Sequence, residues 1–245
     1  MNLILLDHDS PRQTLDAQDR RALHISDVLM RAGKDSFFAG LRDGRMGTAK
    51  PMRLPDGSIE LEVDWHLPDA DPLNQLDLIV GMPRPQSARR MLRDIPTMGV
   101  RSVCFFVGEK GEAGYATSRL WKDGEWMDHL QEGAEQAFNP RIPDVTVVDG
   151  LENALSDLAP HPCRIALDLY EARSSYMDAL VSNDAAAGAT VAIGPERGWS
   201  QAERNTLRSA GFVLCSMGKR VMRSDAAVIA AASVWVAMNE RVLPK

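Results

Sequence analysis

The sequence has little cysteine: Cys104, Cys163 and Cys215 are the three in 245 residues. They are far apart, odd in number and flanked by apolar residues, which argues against a disulfide frame and suits buried, reduced thiols. The five histidines, His8, His24, His66, His129 and His161, form no HxxxH pair and no Cys/His cluster. No metal site is expected from them. No apolar run approaches the ~20 residues that a membrane span needs. The opening Met1-Asn2-Leu3-Ile4-Leu5-Leu6-Asp7 is too short and lacks the basic flank of a signal peptide, so it reads as a first β-strand. A cytoplasmic protein with no membrane partner is expected. Excess positive charge is also missing. The net charge is −6, which gives no overall attraction for nucleic acid.

What is present is ordinary in bulk and informative in arrangement. Hydrophobic residues make up 44% and charged residues 25%, as in globular proteins generally, and the length suits one large domain or two small ones. The cations are clustered. Arg84, Arg89, Arg90, Arg93 and Arg101 form one basic set; Arg197, Arg204, Arg208, Lys219, Arg220 and Arg223 form a second. Local patches decide phosphate binding; the alternative is that these arginines are solvated helix faces.

The pattern changes along the chain. Up to about Pro72, short apolar stretches (Asn2 to Leu6, Phe37 to Leu41, Ile59 to Val63) alternate with Asp43-Gly44-Arg45 and Pro55-Asp56-Gly57, which are hairpin signals. One helix opens at Asp16-Ala17-Gln18-Asp19 and runs to Gly33 on the spacing of Ala22, Ile25, Val28 and Leu29. A small β-barrel with one helix is expected over 1–71, ending in the linker Pro68-Asp69-Ala70-Asp71-Pro72. Over 72–245 strands and helices alternate. Strands are expected at Leu76 to Val80, Val103 to Val107, Val145 to Val148, Ile165 to Leu169, Ala189 to Ile193 and Phe212 to Ser216. Helices are expected at Ser87 to Met98 (bent or ended by Pro96), Trp126 to Ala137, Ser200 to Ala210 and Ser224 to Asn239. That alternation implies an α/β domain with a mostly parallel sheet.

Two strand–turn–helix loops carry the chemical information. In the first, Ala192-Ile193-Gly194-Pro195-Glu196-Arg197-Gly198-Trp199-Ser200-Gln201-Ala202-Glu203, a strand enters a Gly/Pro/Gly turn. Ser200 can cap the following helix, with Glu203 completing a capping box. Gly194 and Gly198 would let a ligand approach the backbone. The spacing is neither a dinucleotide fingerprint nor a P-loop, so the loop alone indicates a small-molecule site or a tight turn without a ligand. The second is Leu214-Cys215-Ser216-Met217-Gly218-Lys219-Arg220-Val221-Met222-Arg223-Ser224-Asp225-Ala226-Ala227. Here two arginines and an aspartate flank an apolar Val221-Met222 pair, which suits either an adenine or sulfonium pocket or a basic helix start with Asp225 facing the helix dipole.

Together the two loops closely resemble the paired motifs of the ribosomal RNA uracil-N3 methyltransferase family, of the SPOUT type. Weaker echoes are His24-Ile25-Ser26-Asp27-Val28-Leu29-Met30-Arg31, Met98-Gly99-Val100 and Glu135-Gln136-Ala137 to Pro143. The resemblance implies a PUA-like N-terminal barrel followed by a SPOUT α/β methyltransferase domain with a trefoil knot, working as a homodimer. It implies S-adenosylmethionine as cofactor, held by Leu169, Ile193, Gly194, Pro195, Glu196, Gly198, Met217, Gly218, Val221 and Met222. RNA contacts are expected at His24, Arg31, Arg84, Arg89, Arg90 and Arg197. Arg220 and Arg223 are candidates for stabilising charge on the uracil, and Glu196 and Asp225 for base or orienter. The chain departs from the family pattern at Thr97, Asn139, Arg197, Asp225 and Ala226. These positions are expected to face RNA, which keeps a different RNA target open beside a non-catalytic RNA-binding protein of the same fold.

Overall fold

The computed structural model describes residues 3–156, 159 and 161–239; Asn2 of the first expected strand and the end of the second expected domain lie outside them. The chain forms two compact units. One comprises the described residues up to Pro72 together with Gln131–Ile142; the other comprises Leu73–Leu130 and the described residues from Pro143 onward. The segment Gln131–Ile142 thus belongs with the first unit, although its sequence position places it inside the expected second domain.

The first unit is a five-stranded curled sheet with a helical segment between β2 and β3 and a further helical stretch within Gln131–Ile142. Its strands are β1 (Leu3–Leu5), β2 (Arg12–Leu15), β3 (Phe37–Gly40), β4 (Met46–Arg53) and β5 (Ile59–Leu67), in the order β1-β3-β4-β5-β2. The two Asp-Gly turns join β3 to β4 and β4 to β5, with Gly44 and Gly57 at positive φ. Asp56 accepts from the Ser58 amide and hydroxyl to close the second turn. Asp19 caps α1 (Arg20–His24), and the chain continues as a π-helical turn over Ile25–Met30. Ile25 and Leu29 seal the core against Phe37, Ile59 and Leu61.

The second unit is a seven-stranded, wholly parallel sheet. Its strands are β6 (Leu76–Gly81), β7 (Ser102–Val107), β8 (Asp144–Asp149), β9 (Cys163–Leu167), β10 (Ser174–Ser175), β11 (Ala189–Ile193) and β12 (Val213–Ser216), in the order β10-β12-β9-β11-β6-β7-β8. β6 and β11 are buried at every residue, which is why both read as continuous apolar runs. The helices are α2 (Pro85–Asp94), α3 (Arg119–Lys122), α4 (Glu125–Ala137, running on into the first unit's segment), α5 (Gly150–Ser156), α6 (Tyr176–Ser182), α7 (Gln201–Ser209) and α8 (Ser224–Asn239). Pro96 acts as expected: α2 stops at Asp94 and a 3₁₀ turn over Ile95–Met98 leads to Gly99 in the left-handed region. Chain order reverses at β6. Strands β7 and β8 lie on one side of it, and β11, β9 and β12 on the other. Such a switch opens a crevice at the carboxyl ends of the strands. Among the described residues no helix is long and apolar enough to cross a membrane.

The opposite, amino-terminal edge of this sheet carries a polar lock. Asp77 is buried and accepts from Arg101, from the Ser102 hydroxyl at 2.7 Å and from the His161 ring at 2.9 Å. Burial pushes the Asp77 carboxyl up, but the hydrogen bonds from Arg101 and Ser102 and the neighbouring charges hold it below the usual carboxylate range. A folded-state value below the unfolded one gives stability that is complete above the ordinary carboxylate pKa and lost as pH falls through the depressed value. Melting temperature measured from pH 7 down to pH 3 should therefore fall, and Asp77→Asn should flatten that fall. An unchanged acid slope would mean that other carboxylates govern it.

Candidate active site

The carboxyl ends of β9, β11 and β12 open into one cavity of about 470 Å³, within the usual range for small-molecule sites. Three loops form it: Leu167–Tyr170 after β9, Ile193–Trp199 after β11 and Ser216–Ser224 after β12, with Arg84 and Ser87 from the start of α2.

Side chains brace the loops to one another. Trp199 donates its indole N–H to the Leu167 carbonyl at 2.9 Å and stacks on Phe106 with ring centroids 5.7 Å apart, tying the β11 loop to β9 and to the core. The expected capping box is formed: the Ser200 hydroxyl accepts from the Glu203 amide, and the Glu203 carboxylate accepts from the Ser200 amide at 2.7 Å. The other Glu203 oxygen accepts from the Glu109 amide at 3.0 Å. This carboxylate therefore pins the loop after β7 to the start of α7 as well. Asp168 accepts from Arg204, from the Tyr170 amide at 2.6 Å and from the Glu171 amide at 3.3 Å. Its carboxyl is raised by burial and then pulled below the usual range by the Arg204 hydrogen bond and the Tyr170 amide. The guanidinium of Arg204 lies 5.8 Å from the centroid of the Tyr170 ring.

Glycines border the open space. Gly198 and Gly218 have φ of +71° and +114°, and a Cβ on either would meet nothing within 4 Å. Gly194 is a glycine for a different reason: a Cβ there would press on the Trp199 ring at 3.1 Å. Its close approach is to a side chain of its own loop.

All ten residues expected to hold a cofactor line this cavity: Leu169, Ile193, Gly194, Pro195, Glu196, Gly198, Met217, Gly218, Val221 and Met222. So do Arg84, Arg197, Arg220 and Arg223. Asp225 does not. It is buried beside the site, accepts from Arg90 at 2.7 and 3.0 Å and from the Ala226 amide, and has Arg223 at 3.5 Å. Burial raises its carboxyl, but the Arg90 hydrogen bond and these neighbours bring it below the usual range.

The first arginine cluster is engaged by acids of its own unit. Arg90 is engaged by Asp225 and Ser87, Arg89 by Glu125 at 2.8 Å, and Arg101 by Asp77 and Gln75. These cations mostly neutralise acids of their own unit. Arg84 pairs with Glu196 at 3.1 Å but sits on the cavity rim. Arg31 pairs with Asp27 along its own helix. His24 lines a separate cavity of about 260 Å³ in the first unit, with Arg20 and Glu135. Two departures from the family pattern make local hydrogen bonds: Thr97 donates back to the Asp94 carbonyl at 2.6 Å, and Asn139 bridges the Asp71 carbonyl and the Arg141 amide. Sequence reading missed Asp168, Tyr170, Trp199 and Arg204 as lining residues. Only the place of Asp168 at the end of a strand could have flagged one of them. Among the described residues no group of His, Cys, Asp and Glu is arranged to hold a metal.

Known proteins match along most of the chain. The sequence profile of the RNA methyltransferase domain covers residues 70–236. A ribosomal RNA small subunit methyltransferase E of Treponema pallidum is 30% identical, over 97% of this chain and 91% of that protein. A ribosomal RNA small subunit methyltransferase E 1 of Borreliella burgdorferi is 24% identical over 96% of this chain and 97% of that protein. A crystal structure of ribosomal RNA small subunit methyltransferase E from Neisseria gonorrhoeae, bound to S-adenosylmethionine, shares the fold with a TM-score of 0.78 at 24% identity, covering 97% of this chain and 98% of that one. A Legionella pneumophila structure with the same cofactor bound has a TM-score of 0.80 at 19% identity, covering 96% and 97%.

Proposed function

The chain belongs to the ribosomal RNA small subunit methyltransferase E family, and from that premise we propose that it transfers a methyl group from S-adenosylmethionine to N3 of a uridine in 16S ribosomal RNA. One observation carries the reading: a single cavity at the strand ends combines an apolar wall with a cationic rim in a protein of net charge −6. Met217, Val221, Met222 and Leu169 suit an adenosine and a thioether chain. Gly198 and Gly218 offer backbone without a Cβ where a ligand must come close. Arg84, Arg197, Arg220 and Arg223 on the rim suit a polyanion.

When bound, the cofactor supplies an electrophilic methyl group on a sulfonium. The work left to the chain is binding, orientation and charge. Uracil N3 carries a proton and attacks only once that proton leaves, so the site must accept it and must stabilise the anion spread over O2 and O4. The cavity can hold N3 at the about 3–3.5 Å that a displacement needs only for a base that is unpaired or flipped out. Arg220, exposed on the rim and without an ion pair among the described residues, is placed to face that anion. Asp225, fixed by Arg90, orients Arg223.

The exposed Tyr170 and Val221, 77% and 79% accessible at the cavity edge, favour a homodimer in which a second copy covers them. An rRNA substrate favours a cytoplasmic enzyme. Mapping modified nucleotides in small subunits from a strain lacking the gene tests the reading directly, since the N3-methyluridine should vanish and return with the purified protein. A modification missing elsewhere in the RNA would instead support a different target. Gly218→Val adds strain at φ +114° and a side chain in the cavity. S-adenosylmethionine affinity by calorimetry should drop at least ~100-fold in a folded protein, about two tenfold steps of binding free energy; unchanged affinity would move the cofactor elsewhere.

A further inference from the structure

Two acidic side chains line the cavity among the described residues, Asp168 and Glu196, and no histidine does. Asp168 is committed: Arg204 and two backbone amides occupy its oxygens, and its side chain is 1% exposed. Asp225 lies outside the lining and is held by Arg90. Glu196 differs from both. It sits on the rim at 36% exposure with one ion-pair partner, the Nε of Arg84 at 3.1 Å, and Arg84 is itself 55% exposed. Arg84 stands just before α2, lines the cavity and has no other ion pair among the described residues. An exposed pair of this kind is weak. A phosphate offers the same guanidinium a bidentate, charge-assisted contact and releases counterions, so it competes well.

We propose that the Arg84–Glu196 pair is a substrate-released latch: an RNA phosphate takes Arg84, and the freed Glu196 carboxylate accepts the uracil N3 proton. This rests on the methyltransferase reading above. The step balances. Glu196 gains the N3 proton, the electron pair of the N3–H bond becomes the new N3–methyl bond, and the methyl–sulfur bond breaks with its pair staying on sulfur. Because Arg84 pairs with Glu196 until RNA arrives, substrate binding raises the share of Glu196 that is free to act as base.

The latch predicts that affinity and rate move in opposite directions. In Glu196→Gln, Arg84 no longer has to break an ion pair, so binding of small subunits in a filter assay should tighten about two- to five-fold, the range of an exposed ion pair. Single-turnover methylation at saturating subunits should slow by about 10²–10⁴, as for a lost general base, and Glu196→Asp should recover part of it. Arg84→Ala should weaken binding and reduce the dependence of log K on log salt by about 0.7–0.9. In the Arg84→Ala background, Glu196→Gln should no longer tighten binding, because there is no guanidinium left to release. Glu196→Gln that binds subunits more weakly, or methylates at the normal rate, or tightens binding equally without Arg84, overturns the latch. If instead the unaltered protein neither binds S-adenosylmethionine in a calorimeter nor methylates subunits, the functional reading itself has failed.

Discussion

Arg204→Ala should destabilise the second unit by about 3–5 kcal/mol, the cost of leaving a buried carboxylate without its partner. The Asp168 and Arg204 side chains are 1% and 10% exposed, so water replaces little of the lost contact. The damage should also have a definite location. Asp168 folds the Tyr170 and Glu171 amides onto itself, and that turn is one wall of the cavity. Thermal or urea unfolding of Arg204→Ala gives the stability, and calorimetry with S-adenosylmethionine gives the effect on the wall. The control is Asp168→Asn combined with Arg204→Leu. Removing both charges spares the unpaired ion, so the double variant should be more stable than Arg204→Ala. If Arg204→Ala loses less than ~1 kcal/mol, the range of an exposed pair, the pair is not the brace described.

This pair also marks where sequence reading stops. The two loops were legible because each is a local pattern: an apolar strand, a glycine turn and a capped helix, in consecutive residues. All ten residues expected to hold a cofactor come from them and from the end of β9, and all ten line the cavity. Ser224–Asn239 was read to the residue because sixteen mostly apolar residues with strong helix formers leave little choice. Asp168 and Arg204 are 36 residues apart, and no local period links them. The same applies to Arg90 and Asp225, separated by 135 residues; a basic cluster in sequence became a set of internal ion pairs because its partners come from distant segments. Among the elements, β4 went unseen because Lys50-Pro51 interrupts it, and proline is unusual in a strand paired on both sides. The short helix α6 depends on its Ser175 cap, which accepts from the Asp178 amide at 3.1 Å, more than on any apolar stripe. Gly194 carries a second constraint that no local pattern shows. It lines the cavity, and a Cβ there would also press on the ring of Trp199, five residues on.

The largest kinetic effect outside the latch is expected at Arg220. Arg220 and Arg223 bracket Val221-Met222 on the cavity rim, and the sequence alone could not rank them. The structure separates them. Arg223 faces the buried Asp225 at 3.5 Å, so part of its charge is answered within the chain. Arg220 has no such partner among the described residues and is free to meet charge that develops on uracil O2 or O4. Lysine at either position keeps the charge and loses the planar fork. Arg220→Lys should therefore slow single-turnover methylation at saturating RNA by ~10²–10³, the usual cost of one oriented donor, with a smaller change in S-adenosylmethionine affinity. Arg223→Lys should cost less, because Asp225 can still orient an ammonium near the same place. Equal and modest losses of RNA affinity in both variants, with near-normal saturated rates, would assign both arginines to phosphate. The anion on the uracil would then have to be stabilised by backbone amides of the β11 and β12 loops, and substitutions in those loops would be the next place to look for the rate.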